Sequence, residues 1–304
     1  QSHFASLNNL AYLPSPAMVH HAVRFIAHGW QPGRDGRRVA LIVLDGLAWG
    51  QWIPLRQSLA SSGLKLTIEE TGTFAWVPTI TPVSRQAILA GEAPFYFGKS
   101  IRTTSKDEAH WRRFWDARGI RGAAIQFVAP KSQEPETAFM ERLVTVAENP
   151  VCVALGAVIP TIDAMAHGTV TGIRGLHAQV AHWAADGHCR KVVEALVRQG
   201  FTVYVTSDHG NVECTGVGKP NVGVLADERG ERVHVFEDEE IRKTVHEQYP
   251  GSVIWPPIGL PDSYLPLLAT GRNAFASKGK RTISHGGISI DEVVVPFITI
   301  EGAV

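Results

Sequence analysis

VALIVLD, residues 39–45, is an unbroken apolar run that ends on an acid. Such a run suits a strand covered on both faces, as in a parallel sheet, where a half-exposed strand would alternate apolar and polar residues. Before it, AMVHHAVRFIAHG (17–29) reads as a short helix and QPGRDGRR (31–38) as a turn-rich link. After it, IPLRQSLASSG (53–63) reads as the following helix. Region 64–82 holds a short strand and then WVPTITP, broken by prolines. VSRQAILAG (83–91) is a helix that ends at a glycine. The alternation returns with a helix at 107–119, a strand at 122–129, a helix at 134–148 and a strand at 151–159. A long helical stretch at 172–200, broken at Gly187, leads to a strand at 201–208. Residues 92–106 read as an insertion or lid. Residues 212–283 read as irregular, apart from a hairpin around VLADERGERVHVF (224–236). VVVPFITI (293–300) reads as a late strand near an edge, because Pro296 lacks an N–H. Strands alternating with helices of this length predict an α/β fold, a three-layer sandwich with a mostly parallel central sheet.

Composition bounds the function. The 304 residues suffice for one large domain or two small ones. Lys plus Arg number 29 and Asp plus Glu number 29, so the balanced charge makes no broad electrostatic case for nucleic acid, although a local basic groove is compatible with it. Cys152, Cys189 and Cys214 form no C-x-x-C pair, which points to a reducing, cytoplasmic compartment. The apolar stretch 149–162 is too short to span a bilayer, and no signal peptide is visible. A chain that opens on Gln1 reads as processed or cut from a longer protein.

Three acids end three predicted strands. Asp45 follows VALIVL, Asp208 follows VYVTS with His209 next, and Asp163 lies past VCVALGAVIP with His167 four residues on. Ligands of open α/β sheets sit beyond the carboxyl ends of the strands, so these groups can converge on one edge. Each has a plainer reading alone: Asp45 as a helix cap, Asp163 and His167 as one turn of a helix surface, Asp208–Asn211 as a turn. Their recurrence at matching positions favours a shared metal site, for which carboxylate oxygen and imidazole nitrogen are the usual ligands. His285, in SHGG (284–287), is a fourth candidate, since two glycines let the backbone turn sharply. His20, His21, His28, His177, His182 and His188 read as surface or packing residues.

PTITPVSRQAILAG (78–91) offers hydroxyls ahead of a helix. With Pro82 as the first helical residue, Thr81 is placed at the N-cap, where free N–H groups and the helix dipole can steady a phosphoryl oxygen. Thr79 and Ser84 compete with it. A threonine hydroxyl is a weak nucleophile and needs a metal to activate it.

VLDG (43–46), PTITPVSRQAILAG (78–91), DAMAH (163–167), TSDHGN (206–211) and SHGGISIDEVVVPF (284–297) occur in this order and together resemble the alkaline phosphatase superfamily. HGGISIDEVVVP points most specifically to the PglZ domain of BREX-type phage defence. The resemblance runs from about residue 37 to residue 300. It implies a helical and linking segment over 1–36 and an alkaline-phosphatase-like domain over 37–304, with insertions near 92–106 and 212–283. It implies two divalent ions, Zn²⁺ with Mn²⁺ as the alternative. Asp45, Thr81, Asp208 and His209 would hold one; Asp163, His167 and His285 would hold the other. Thr81 would be the nucleophile, since ten residues separate it from Gly91, as in the phosphodiesterase-like members.

Arg85, one turn past Thr81, could touch a phosphate oxygen, and Asn211 could donate to substrate or water. Lys219, Lys278, Lys280 and Arg281 could fold over the site. The substrate carries phosphate, as a diester, monoester, nucleotide or nucleic acid, and partner proteins of a defence complex, including a methyltransferase and ATPases, are implied. Two other readings stand beside the metal-dependent phosphodiesterase or phosphatase. One is a metal-stabilised assembly module without catalysis. The other is a metal-dependent phosphomutase, suggested by DHGNVE (208–213) and weakened by the lack of an Asn-Ser-Glu context.

Overall fold

A computed structural model of the chain describes residues 2–30, 37–221, 224–225 and 230–303. Along it run helices α1 (Ser2–Leu7) and α2 (Ala22–His28), strand β1 (Arg38–Leu44), helix α3 (Trp49–Ala60) and strand β2 (Leu66–Phe74). Helices α4 (Thr81–Ala90) and α5 (Asp107–Asp116), strand β3 (Ile125–Val128), helix α6 (Glu136–Glu148) and strand β4 (Ala154–Ile159) follow. Then come helices α7 (Thr161–Gly168), α8 (Gly172–Asp186) and α9 (His188–Arg198), and strand β5 (Phe201–Thr206). The last third contains β6 (Val212–Gly216), β7 (Val224–Leu225), β8 (Val233–Phe236), α10 (Glu239–Gln248), β9 (Ser252–Ile254) and β10 (Leu265–Ala269). It closes with β11 (Asn273–Ala274), β12 (Arg281–Ser284), α11 (Ile290–Val293) and β13 (Val294–Gly302).

The main sheet has the order β2-β13-β5-β1-β4-β3. β5, β1, β4 and β3 are mutually parallel, and β13 runs antiparallel to both β5 and β2. The apolar run of β1 lies in the middle, and its alternate residues enter two different cores. Val39, Leu41 and Val43 pack with Val23 and Ile26 of α2, Ile88 of α4 and Trp111 and Trp115 of α5. Ala40, Ile42 and Leu44 pack with Trp52 of α3, Phe139 of α6, Val180 of α8 and Val192 of α9. Burying both faces of one strand under helices gives the three-layer αβα sandwich that the sequence predicts. Met18, Val19 and Ala22 are buried in the first of these cores, so part of the segment ahead of β1 completes it.

Several boundaries differ from the expectations. α3 begins at Trp49, with Pro54 inside it, ahead of the start that Pro54 suggested. The stretch 172–200 is two helices parted at Gly187, as the sequence suggests. β2 is nine residues long. The span 212–283 is ordered where it is described. It supplies a four-stranded sheet, β7-β8-β10-β9, and a three-stranded one, β11-β6-β12. β7 and β8 pair antiparallel as the predicted hairpin, whose residues 226–229 lie outside the described residues, as do 31–36 of the predicted link.

β13 is an interior strand and not an edge, which corrects the reading of Pro296. The Pro296 carbonyl accepts from Thr206 Oγ1 at 2.9 Å, so this residue faces β5. Thr206, the last residue of β5, pairs with Phe297. The missing N–H therefore points where β5 has already ended, and no ladder bond is lost.

His20 lies between His21 and Trp76 in tilted ring contacts, with centroids 4.1 and 5.1 Å away. Burial, with help from the charges of His21 and Arg24, holds its pKa down at about 3. An unfolded chain takes up a proton at His20 near the ordinary 6.5, and the folded chain does not. Its contribution to stability is thus complete above that pH and is lost as pH falls toward the folded pKa. Between pH 7 and 5 the His20→Asn protein is expected to lose about 2 kcal/mol less stability than the parent. Denaturant melts at the two pH values measure this; parallel losses in both proteins would rule it out.

Candidate metal centre and nucleophile

Adjacent parallel strands deliver their C-terminal ends to one edge. β1 passes into Asp45 and β5 into Asp208 and His209, while β4 passes into α7, which carries Asp163 and His167. Backbone bonds fasten the first and third of these: Asp45 N–H donates to Ile159 O at 3.0 Å and Asp163 N–H to Asp45 O at 3.1 Å. His285 follows β12, where Gly286 has φ +109°, and a Cβ there would lie 2.8 Å from Val233. Only glycine supports this turn.

The predicted groups meet. Asp45, Asp208 and His209 form one buried set of ligand atoms, and Asp163, His209 and His285 form another, so His209 stands in both. His167 Nε2 lies 3.0 Å from Asp163 Oδ1. The rings of His209 and His285 stack with centroids 3.7 Å apart.

Ring orientation settles what these histidines offer. His209 Nδ1 is 2.9 Å from Gly210 O, and His285 Nδ1 is 2.9 Å from Thr79 O. A carbonyl can only accept, so each Nδ1 carries a proton, and in the neutral ring each Nε2 presents a lone pair to the site. His209 Nε2 thereby faces Asp45 Oδ1 at 3.6 Å, acceptor to acceptor. Asp45 Oδ1, Asp208 Oδ2 and His285 Nε2 are buried without a hydrogen-bond partner. Buried polar atoms are ordinarily paired, and a mixed N/O set left in this state fits a pair of divalent cations.

Electrostatics agree. Burial and the neighbouring Asp208 push the Asp45 carboxyl well up, against the pull of Arg85. Burial opposes the charged form of His209, but Asp208, Asp45 and Asp163 together raise its pKa. Burial and His209 push His285 well down. Asp163 is held low despite burial, chiefly by the hydrogen bond from His167 and the charges of His285 and His209.

Thr81 differs from its expected place by one position. Ile80 O accepts from Val83 N–H and Ser84 N–H, so Ile80 is the N-cap and Thr81 the first residue of α4. The Thr81 hydroxyl caps nothing and lies 3.1 Å from His209 Nε2. The helix ends at Gly91 as expected, with φ +67°. The two competing hydroxyls are committed elsewhere. Thr79 Oγ1 donates to Gly287 O and accepts from Gly286 N–H, each at 3.0 Å. Ser84 Oγ accepts from Trp76 N–H at 3.1 Å.

Arg85 points into the cluster, 2.7 Å from Asp45 Oδ2 and 4.0 Å from Asp208 Oδ2. Asp107, at the start of α5, holds its Nε at 2.8 Å. Burial raises the Asp107 pKa to about 6 even with Arg85 beside it. Asp107 was missed in the sequence, because an acid in the first turn of a helix has an ordinary explanation there. Asn211 is turned aside: its amide donates to Gly46 O at 2.7 Å and its oxygen accepts from Gln51 at 2.9 Å. Lys280 is paired with Glu231 and Arg281 with Glu213.

A second network was also invisible in the sequence. Arg232 and Glu292 are both fully buried and meet at 2.9 Å. Arg232 also donates to the carbonyls of Asn273 and Gly271. Glu292 accepts from Gly287 N–H at 2.7 Å and from the Ser289 N–H and hydroxyl. This pair fixes the turn that carries His285.

None of the curated proteins compared matches the chain. Among solved structures, murine ectonucleotide pyrophosphatase/phosphodiesterase 5 is similar at TM-score 0.62 and 12% identity, covering 88% of each chain. An inactive threonine-to-alanine form of that protein in complex with AMP is similar at TM-score 0.55 and 13% identity, again covering 88% of each chain. Phosphonoacetate hydrolase from Sinorhizobium meliloti 1021, in complex with phosphonoformate, is similar at TM-score 0.52 and 13% identity, covering 86% of this chain and 89% of that one. At these identities the likeness is one of fold. No helix among the described residues is long and apolar enough to cross a membrane. The family described as the BREX system PglZ alkaline phosphatase-like domain matches residues 30–300, and this chain belongs to that family.

Proposed function

We propose that the chain is a metal-dependent phosphodiesterase whose nucleophile is Thr81. The observation that carries this is that Thr81, alone of the three hydroxyls around the start of α4, faces the ligand cluster, while Thr79 and Ser84 are bonded to backbone. Two divalent ions, Zn²⁺ with Mn²⁺ as the alternative, would be held by Asp45, Thr81, Asp208 and His209 and by Asp163, His167 and His285; they supply charge neutralisation and an acidified threonine hydroxyl. Thr81 Oγ attacks phosphorus in line, losing its proton and forming a phosphothreonine as the bond to the leaving oxygen breaks. Water then displaces Thr81 and releases the product. Arg85, one turn along α4 and anchored by Asp107, is placed to hold a phosphate oxygen near Thr81.

A dianionic monoester calls for more fixed positive charge than a diester. Arg85 is the one guanidinium tied to the ligand carboxylates among the described residues, and Lys280 and Arg281 are engaged at Glu231 and Glu213. That balance favours a diester, such as a cyclic nucleotide or a nucleic acid linkage, over a monoester. A panel of nitrophenyl mono- and diesters, nucleotides and short DNAs and RNAs with added Zn²⁺ or Mn²⁺ tests the reading. Diesters are expected to turn over faster. Monoester preference would make it a phosphatase, and no turnover by metal-loaded protein would leave the assembly module.

Metal content is a separate expectation. The parent should hold close to two ions per chain by elemental analysis, because two buried ligand sets meet at His209. Asp163→Ala and His167→Ala should each bring this toward one while leaving the melt nearly unchanged, since both lie at the sheet edge. Retention of both ions in either variant would show that the second ligand set is misassigned.

A further inference from the structure

A cavity of about 660 Å³ lies at the opposite end of α4 from Thr81. Ten residues of helix separate the two, about 14 Å. Its walls come from the segment ahead of β1 and from the C-terminal ends of α4 and α5, and include Tyr12, Arg24, His28, Glu92, Arg113 and Arg118. Charge there is unbalanced. Arg24 is matched by Glu92 at 2.9 Å and also donates to Gly91 O at 2.6 Å. Arg113 and Arg118 pair with no acid among the described residues. Arg118 lies flat on the Phe114 ring, 3.6 Å from its centroid, and bonds only the Phe114 carbonyl.

The end of α5 engages one donor of Arg118, on Phe114 O, and none of Arg113 among the described residues, while the neighbouring carbonyls take backbone N–H groups. Ala117 N–H bonds Arg113 O, Arg118 N–H bonds Trp115 O, and Gly119 N–H bonds Asp116 O. Two guanidiniums with donors to spare, facing a concave space, are suited to a planar or tetrahedral oxyanion. Burial and the nearby Arg24 weigh against the charge of Arg118, partly offset by Glu92 and Tyr12, and a bound anion would favour that charge further. Aromatic edges are present as well: Tyr12 and His28 meet edge to face, 5.8 Å between centroids. The volume lies within the range of small-ligand sites.

We infer that this cavity binds a nucleotide, with phosphates on Arg113 and Arg118 and the base against Tyr12 and His28. The site is separate from the strand-end cluster and does not depend on what that cluster catalyses. The fit is one of chemistry and size: a diphosphate matches the net positive pair, and the Tyr12 and His28 rings, with Ala27 and Ala90 beside them in the lining, offer a nucleobase an apolar wall.

The test uses the full chain and a hydrolysis-resistant, methylene-bridged ADP analogue in isothermal titration, with pyrophosphate and adenosine as partial probes. The parent should bind the analogue below millimolar. Arg113→Glu combined with Arg118→Glu should weaken binding by roughly tenfold or more, since two charge-assisted contacts are reversed. Both residues are exposed, but Arg118 also bonds Phe114 O and covers its ring, so the melt is measured beside binding, and Arg113→Gln with Arg118→Gln, which should weaken binding in the same direction, is the milder pair. Asp208→Asn, which disables the strand-end cluster, should leave this binding in place. Pyrophosphate binding as tightly as the analogue would remove the base contact and overturn the nucleotide assignment. Absence of saturable binding in the millimolar range, or binding untouched by the double reversal and lost in Asp208→Asn, would overturn the site itself.

Discussion

Replacing Thr81 with alanine is expected to reduce diester turnover by roughly 10³-fold or more, because a covalent route loses its attacking atom. Thr81→Ser should keep a measurable part of the activity, as it retains the hydroxyl. The stability cost should be small. Thr81 is the first helical residue and makes no capping bond, so the usual penalty for losing a cap does not apply. Thr79→Ala is the more disruptive neighbour, since that hydroxyl clamps Gly286 and Gly287. Its damage should appear as loss of the ion at His285 and not as loss of the phosphoenzyme. Mass spectrometry of trapped enzyme reads the distinction directly. A phosphate on Thr79 or Ser84, or parental turnover by metal-loaded Thr81→Ala, would end the assignment.

Glu292→Ala carries the largest expected effect on stability, about 3–5 kcal/mol, because it leaves the Arg232 guanidinium buried without its counter-charge. That corresponds to a fall in Tm of roughly 6 °C or more. Replacing both partners with apolar residues, Arg232→Met with Glu292→Leu, should recover part of the loss. Full recovery is not expected, since Gly287 N–H and Ser289 lose their acceptor. Thermal melts of the three proteins decide it, and a single variant melting with the parent would show that the pair contributes little.

What the sequence disclosed follows from how far each signal reaches along the chain. Asp45, Asp208 and Asp163 were legible because strand and acid are contiguous, and parallel pairing of β4, β1 and β5 does the rest. Thr81 and Gly91 were legible as the two ends of one helix. Asp107 with Arg85, and Arg232 with Glu292, are partners far apart in sequence, and nothing local to either residue announces the other. Apart from the hairpin of β7 and β8, the two small sheets of 212–283 went unread because their strands run only two to five residues, too short for alternation to show. Pro296 was misjudged because a proline's neighbours on each side depend on where the adjacent strand stops.

That proline has a consequence for the site. The next rung of the β5–β13 ladder beyond Thr206 and Phe297 would join Ser207 to Pro296, and Pro296 has no hydrogen to give. That rung could carry only one of its two bonds, and β5 ends at Thr206. Ser207 instead turns its hydroxyl to the carbonyl of His209 and receives Leu47 N–H. Asp208 and His209 follow at once, with Asp208 Oδ1 accepting from Gly46 N–H and His209 Nε2 3.6 Å from Asp45 Oδ1. A residue ninety positions downstream thus acts as a stop for strand growth, and it sets where sheet ends and metal ligand begins.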